Sequence, residues 1–99
     1  MTERQDRSAI CRTKLDEWRG IVVELRARGT ELDGEDRQEL DEAVSRLERH
    51  IDDGEARLSE LDNTDDGAWE SAKEHWEAAW NMVEEAFEKD SAAYTSSDD

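Results

Sequence analysis

The sequence predicts an all-α protein, either an antiparallel three-helix bundle or a long coiled-coil hairpin, with a disordered C-terminal tail. Three observations predict it. Proline is absent from the 99 residues. The apolar residues recur in alternating steps of four and three, the period of helices that bury one stripe. Where that recurrence breaks, the chain is rich in Gly, Thr, Asp and Asn, which stop one helix and cap the next.

The first helix is expected over about 4–31, with a seam of Cys11, Leu15, Trp18, Val22, Leu25, Gly29 and Leu32. The second, over about 35–62, carries Leu40, Val44, Leu47, Ile51, Gly54, Leu58 and Leu61. The third, over about 65–89, carries Trp69, Ala72, Trp76, Ala79, Val83 and Phe87, widened by Trp80 and Ala86. At ~1.5 Å per residue each helix is about 40 Å long. Residues 1–90 thus form a single helical domain, followed by a disordered acidic tail over 91–99.

The junctions separate the two architectures. Between Leu32 and Leu40 the stripe would pass through Asp36, and between Leu61 and Trp69 through Asp65, so each junction holds two successive steps of four. A continuous coiled coil absorbs such a stutter by unwinding locally. The same residues also read as turns: Gly29, Thr30, Asp33 and Gly34 at the first junction, and Asp62 to Gly67 at the second. Breaks are preferred, and short connections then make neighbouring helices antiparallel. A stutter at the first junction would instead give a long hairpin that dimerises.

Composition alone argues the other way. The chain holds 13 Lys+Arg against 29 Asp+Glu, a net charge of −16, with a pI near 4.3. Leu, Ile, Val and Phe number only 15. Few large apolar residues with high net charge is the composition of a disordered chain; the helical period overrides it. Residues 1–28 carry seven Lys/Arg and five Asp/Glu, residues 29–61 four and twelve, and residues 62–99 two and twelve. The near-neutral first helix is therefore the expected partner of both acidic ones, and packing the second and third helices together without it would set like charge against like. With so thin a core and so much self-repulsion, the fold is expected to be marginal and sensitive to salt.

The same numbers exclude several classes of function. An acidic surface repels nucleic-acid phosphates, so no direct nucleic-acid binding is expected. No apolar run approaches the ~20 residues that span a bilayer, and the N-terminus has no basic-then-apolar signal segment. Cys11 is the sole cysteine, which fits a reducing, cytoplasmic setting.

The most specific stretch is Ala68-Trp69-Glu70, Lys73, Glu77-Ala78-Ala79-Trp80 and Glu85-Ala86-Phe87-Glu88-Lys89. It resembles the C-terminal half of a family of small bacterial coiled-coil proteins described as stress-response proteins. Leu15-Asp16-Glu17-Trp18, Ile21, Leu25 and Ala27 resemble that family's opening helix. The resemblance covers roughly residues 12–89 and implies a helical fold and a stress-associated context, with no cofactor and no catalytic residues to carry over. Gly29, Gly34 and Gly54 and the heavier acidity depart from the family pattern and argue against one continuous long helix.

Candidate chemistry is sparse. Asp62, Thr64, Asp66 and Gly67 fall at the first, third, fifth and sixth positions of a calcium loop, but its twelfth position is Lys73, which cannot ligate calcium. A capped interhelical turn is the plainer reading. His50 and His75 stand three residues after Leu47 and Ala72, so neither forms the Glu-x-x-His pair of a di-iron bundle, and both read as solvated. Zinc spacing is absent as well, so neither metal nor cofactor is expected. No base is placed beside Cys11 or a serine; the thiol reads as a small buried group, with a crosslink across a dimer seam as its alternative. The stripe of Trp69, Trp76, Trp80 and Phe87 could insert at a membrane interface, yet the carboxylates opposite it would repel anionic lipid, so a bundle core is favoured.

A non-enzymatic helical protein follows, acting by self-association or by docking a partner helix. Its expected working residues are Leu15, Trp18, Val22, Leu25, Leu47, Ile51, Trp69, Trp76, Trp80, Val83 and Phe87. The alternative is an acidic module that engages a basic partner protein by imitating a phosphate backbone. Surplus carboxylates also serve solubility or adaptation to high salt, with which ten Arg against three Lys is compatible.

Overall fold

The computed structural model describes residues 2–95, apart from the side chains of residues 93 and 95. Three helices follow one another: α1 (Glu3–Gly29), α2 (Gly34–Asp62) and α3 (Asp66–Thr95). Both junctions are true breaks, so the bundle is formed and the continuous hairpin is not. It measures 53 × 21 × 19 Å.

Each boundary has a local cause. Thr2 opens α1 with a capping box, its hydroxyl accepting from the Gln5 amide while the Gln5 side chain accepts from the Thr2 amide. The Thr30 hydroxyl donates to the Ala27 carbonyl as α1 ends. Gly34 turns the chain with φ +61°, a left-handed conformation that costs glycine little and other residues more. At the second turn the Asp65 carboxylate accepts from the Ala68 amide at 3.1 Å, capping α3.

Contacts fix an up-down-up order. Arg19 and Arg26 of α1 meet Glu55 and Glu48 of α2, so those helices are antiparallel. Glu3 meets Lys73 and Lys14 meets Glu84, so α1 and α3 are parallel. The core is one cluster in which Cys11, Leu15, Trp18 and Leu25 of α1, Leu47 and Leu61 of α2, and the α3 aromatics are all buried.

The fold departs from sequence expectation at three places. Helix α3 runs through Thr95 rather than ending near residue 89, because Ser91 is buried and Tyr94 packs on the core, carrying the stripe two turns past Phe87. Residues 91–95 of the expected tail are therefore helical; residues 96–99 lie outside the described residues. Leu32 leaves the first seam, 37% exposed in the turn, because α1 stops at Gly29. Gly54, by contrast, sits buried within α2 on the seam where the sequence puts it. Finally, α3 packs more extensively on the acidic α2 than on the near-neutral α1, along a flank of α2 that carries Arg46, His50 and Arg57. Local cations there offset the repulsion that the segment charges imply.

Candidate functional site

The expected seam residues are brought together, but inward. Leu15, Trp18, Val22, Leu25, Leu47, Ile51, Trp69, Trp76, Trp80 and Phe87 are each buried, and Val83 is half-buried against them. Aromatic rings form an unbroken line along the bundle. Trp18 stacks between Trp80 and Phe87, with ring centroids 5.6 and 4.5 Å away. Trp80 stacks on Trp76 at 5.9 Å, and Trp76 meets Trp69 edge-on at 5.9 Å. Such pairs add about 0.5–1.5 kcal/mol beyond the area they bury. The Trp76 indole N–H donates to the Arg57 carbonyl at 2.7 Å, which ties the line to α2. Trp69 Nε1 is buried and finds no hydrogen-bond partner among the described residues. A helix docking on the buried rings of this seam would have to displace one of the chain's own helices.

Two ladders of charge flank that core. Arg12, Arg19 and Arg26 recur every seven residues and meet Asp62, Glu55 and Glu48, which recur every seven in the opposite direction. On the other flank Glu3, Arg7 and Lys14 meet Lys73, Glu77 and Glu84, a constant 70 residues apart, at 2.7, 2.8 and 3.5 Å. These are the flanking positions at which charge sets helix register in coiled coils. Hydrogen bonding to Lys73 holds the Glu3 carboxyl below its usual range, and the same bond raises Lys73. Arg4 binds Asp66 at 2.9 Å and the Leu61 carbonyl, and Arg28 donates to the Tyr94 carbonyl. All seven Lys/Arg of residues 1–28 are thus turned toward α2, α3 or the turn between them. Sequence reasoning found their excess but not their pairing; the signal was the seven-residue repeat of Arg12, Arg19 and Arg26.

The groups weighed for chemistry are dispersed. Asp62 accepts from Ser8 at 2.8 Å and from Arg12, Asp65 caps α3, and Asp66 accepts from Thr2 and Arg4. Their carboxylates serve separate donors rather than one cation, which makes the segment a capped turn. No group of three or more His, Cys, Asp or Glu that could hold a metal occurs among the described residues. His75 is exposed as expected. His50 is not solvated: its Nε2 lies 2.7 Å from Asp90 of α3, with the ring only 21% exposed, because the α2 flank that bears it faces α3. Cys11 is fully buried, and burial pushes its thiol up to about 11, so it is neither a nucleophile nor accessible for a crosslink. Among the described residues no helix is long and apolar enough to cross a membrane.

What remains outside is mostly carboxylate, with Arg49, Lys89 and a few apolar side chains also exposed. Glu70, Glu74, Glu85 and Glu88 lie on the flank of α3 turned away from α2 and make no ion pair among the described residues. Ile10, Val23 and Met82 are the most exposed large apolar residues, at 53, 66 and 71%. Met82 borders a groove between α2 and α3 that also contains His50, Asp53, Arg57, Ala79, Val83 and Ala86. No family model, curated protein or solved structure matches this chain.

Proposed function

We propose that the protein is a non-enzymatic acidic binding module that engages a basic partner protein through the outer carboxylates of α2 and α3. One observation carries this reading: the cations of α1 are spent inside the bundle, whereas the surplus acids are left facing water. Glu70 to Glu88 spans 18 residues, about 27 Å of rigid helix at ~1.5 Å per residue. A row of fixed negative charge on a rigid rod attracts Arg- and Lys-rich surfaces and steers their approach. The alternative, docking on the apolar seams, is less favoured because those seams are already filled by the chain itself. A stress-associated setting is part of the proposal only through the resemblance of the Trp69–Lys89 block.

A polyarginine peptide titrated into the full chain tests the reading. Affinity should fall at least tenfold between about 0.05 and 0.2 M salt, as screening shortens the reach of the carboxylates. Replacing Glu70, Glu74, Glu85 and Glu88 together by Gln should weaken binding and flatten its salt dependence. Association unchanged at half-molar salt would exclude the proposal.

A further inference from the structure

We propose that the groove between α2 and α3 seats a second copy of this chain, making the protein a homodimer. The argument begins with how charge is divided around α3. Its glutamates lie on the flank facing α1 and on the outer face, where Glu77 and Glu84 meet Arg7 and Lys14. The flank that borders the groove runs His75, Ala79, Met82, Ala86 and Lys89, and the carboxylate beside it, Asp90, is taken up by His50 and Arg46 of α2. A chain of net charge −16 can approach its own copy closely only where its acids are few and find partners, because like charges placed across an interface repel. On α3 this flank meets that condition. It also presents the most exposed large apolar side chain of the described residues, Met82. Methionine packs adaptably on such surfaces.

The groove is complementary to itself. Lys89 on the α3 side and Asp53 on the α2 side are both exposed, and neither makes an ion pair among the described residues. One spare cation and one spare anion on opposite walls find partners when the same surface meets itself, as an isologous interface requires. A strongly basic partner would be drawn instead to the glutamate flank on the other side of α3. A dimer formed here leaves that flank outward on both copies, so this inference goes beyond the binding proposal and stands without it.

Sedimentation equilibrium of the full chain in about 0.2 M salt tests the inference. The parent is expected at twice its 11.4 kDa. Met82→Glu should sediment at the single-chain mass with an unchanged helical circular dichroism spectrum, since that side chain lies outside the folded core. Lys89→Asp should raise the dimer dissociation constant at least tenfold, and adding Asp53→Lys should restore it. A parent at single-chain mass up to about 1 mM would overturn the inference. So would a dimer that neither Met82→Glu nor Lys89→Asp disturbs, or a monomeric parent that takes up an unrelated helix in the groove.

Discussion

Gly54 of α2 lies against Leu15 of α1 so closely that a Cβ added to the glycine would stand 2.9 Å from Leu15 Cδ2. The same atom would meet Trp80 at 3.3 Å and Trp18 at 3.6 Å. The stack of Trp18 and Trp80 is therefore seated over a missing side chain. Helix propensity argues against glycine in the middle of a 29-residue helix, but the aromatic line occupies the space that a Cβ would take.

Gly54→Ala should consequently destabilise the protein. Better helix propensity contributes about 1 kcal/mol, while overpacking a filled core costs about 1–3 kcal/mol; the Leu15 side chain that must give way is itself 1% exposed, with the indole rings of Trp18 and Trp80 close beside it. The expected net loss is about 1 kcal/mol. Gly20 of α1 is the control: a Cβ there meets nothing within 4 Å, so Gly20→Ala should stabilise by up to about 1 kcal/mol. Thermal midpoints of the two variants should move in opposite directions, by about 4–8 °C per kcal/mol for a domain of this size.

Trp76 gives the second prediction. It is 5% exposed, stacks on Trp80 and donates to the Arg57 carbonyl. Trp76→Ala should cost about 3–5 kcal/mol through lost burial and the cavity left behind, enough to leave so small a domain largely unfolded. Trp76→Phe keeps most of the contact area but loses the hydrogen bond, and should cost clearly less. Equal urea midpoints for the parent and Trp76→Ala would show that the aromatic line does not hold the fold together.

Much of this architecture was legible in the sequence, and the reasons are specific. Trp18 and Trp76 fall on strict four–three steps and Phe87 one further step of four beyond Val83, and a helix has no other way to bury such a stripe. The end of α3 was misread because Ser91 and Tyr94 look like the start of a polar tail, yet a serine can sit buried when its hydroxyl donates to the Glu88 carbonyl one turn back. His50 reads as solvated because it stands beside, not on, the seam of Leu47 and Ile51; only the antiparallel pairing of α2 with α3 brings Asp90 to it. The role of Gly54 depends on which rings lie opposite, and that is information about tertiary packing. The charged surface was visible as an excess, but which carboxylates stay unpaired depended on the register of both ladders.

Cys11 makes a prediction about pH. Its thiol is raised from 9.0 to about 11 because burial disfavours the thiolate. The folded state therefore holds its proton more tightly than the unfolded chain. Stability from this group is fully present below pH 9 and is lost as pH rises from 9 toward 11. Cys11→Ala should flatten the decline of the thermal midpoint across that interval. A thiol reagent at pH 8 should label the native parent slowly, at a rate that follows unfolding; rapid labelling would contradict the burial.

Salt makes the last prediction, because two electrostatic effects oppose each other here. Ion pairs in the ladders are mostly half-exposed, and each contributes about 0–1 kcal/mol. They act over a few ångströms, well inside the ~10 Å screening length at 0.1 M. Repulsion among the surplus carboxylates acts across the 53 Å length of the bundle and is felt in full only when the screening length approaches ~30 Å, near 0.01 M. Salt should therefore remove the repulsion first and leave the close pairs largely intact. The thermal midpoint should rise steadily from about 0.01 to 0.5 M salt, and the rise should shrink when Glu70, Glu74, Glu85 and Glu88 are replaced by Gln. A midpoint that falls over that range would mean that the ladders outweigh the repulsion, and that the unpaired acids do not strain the bundle they cover.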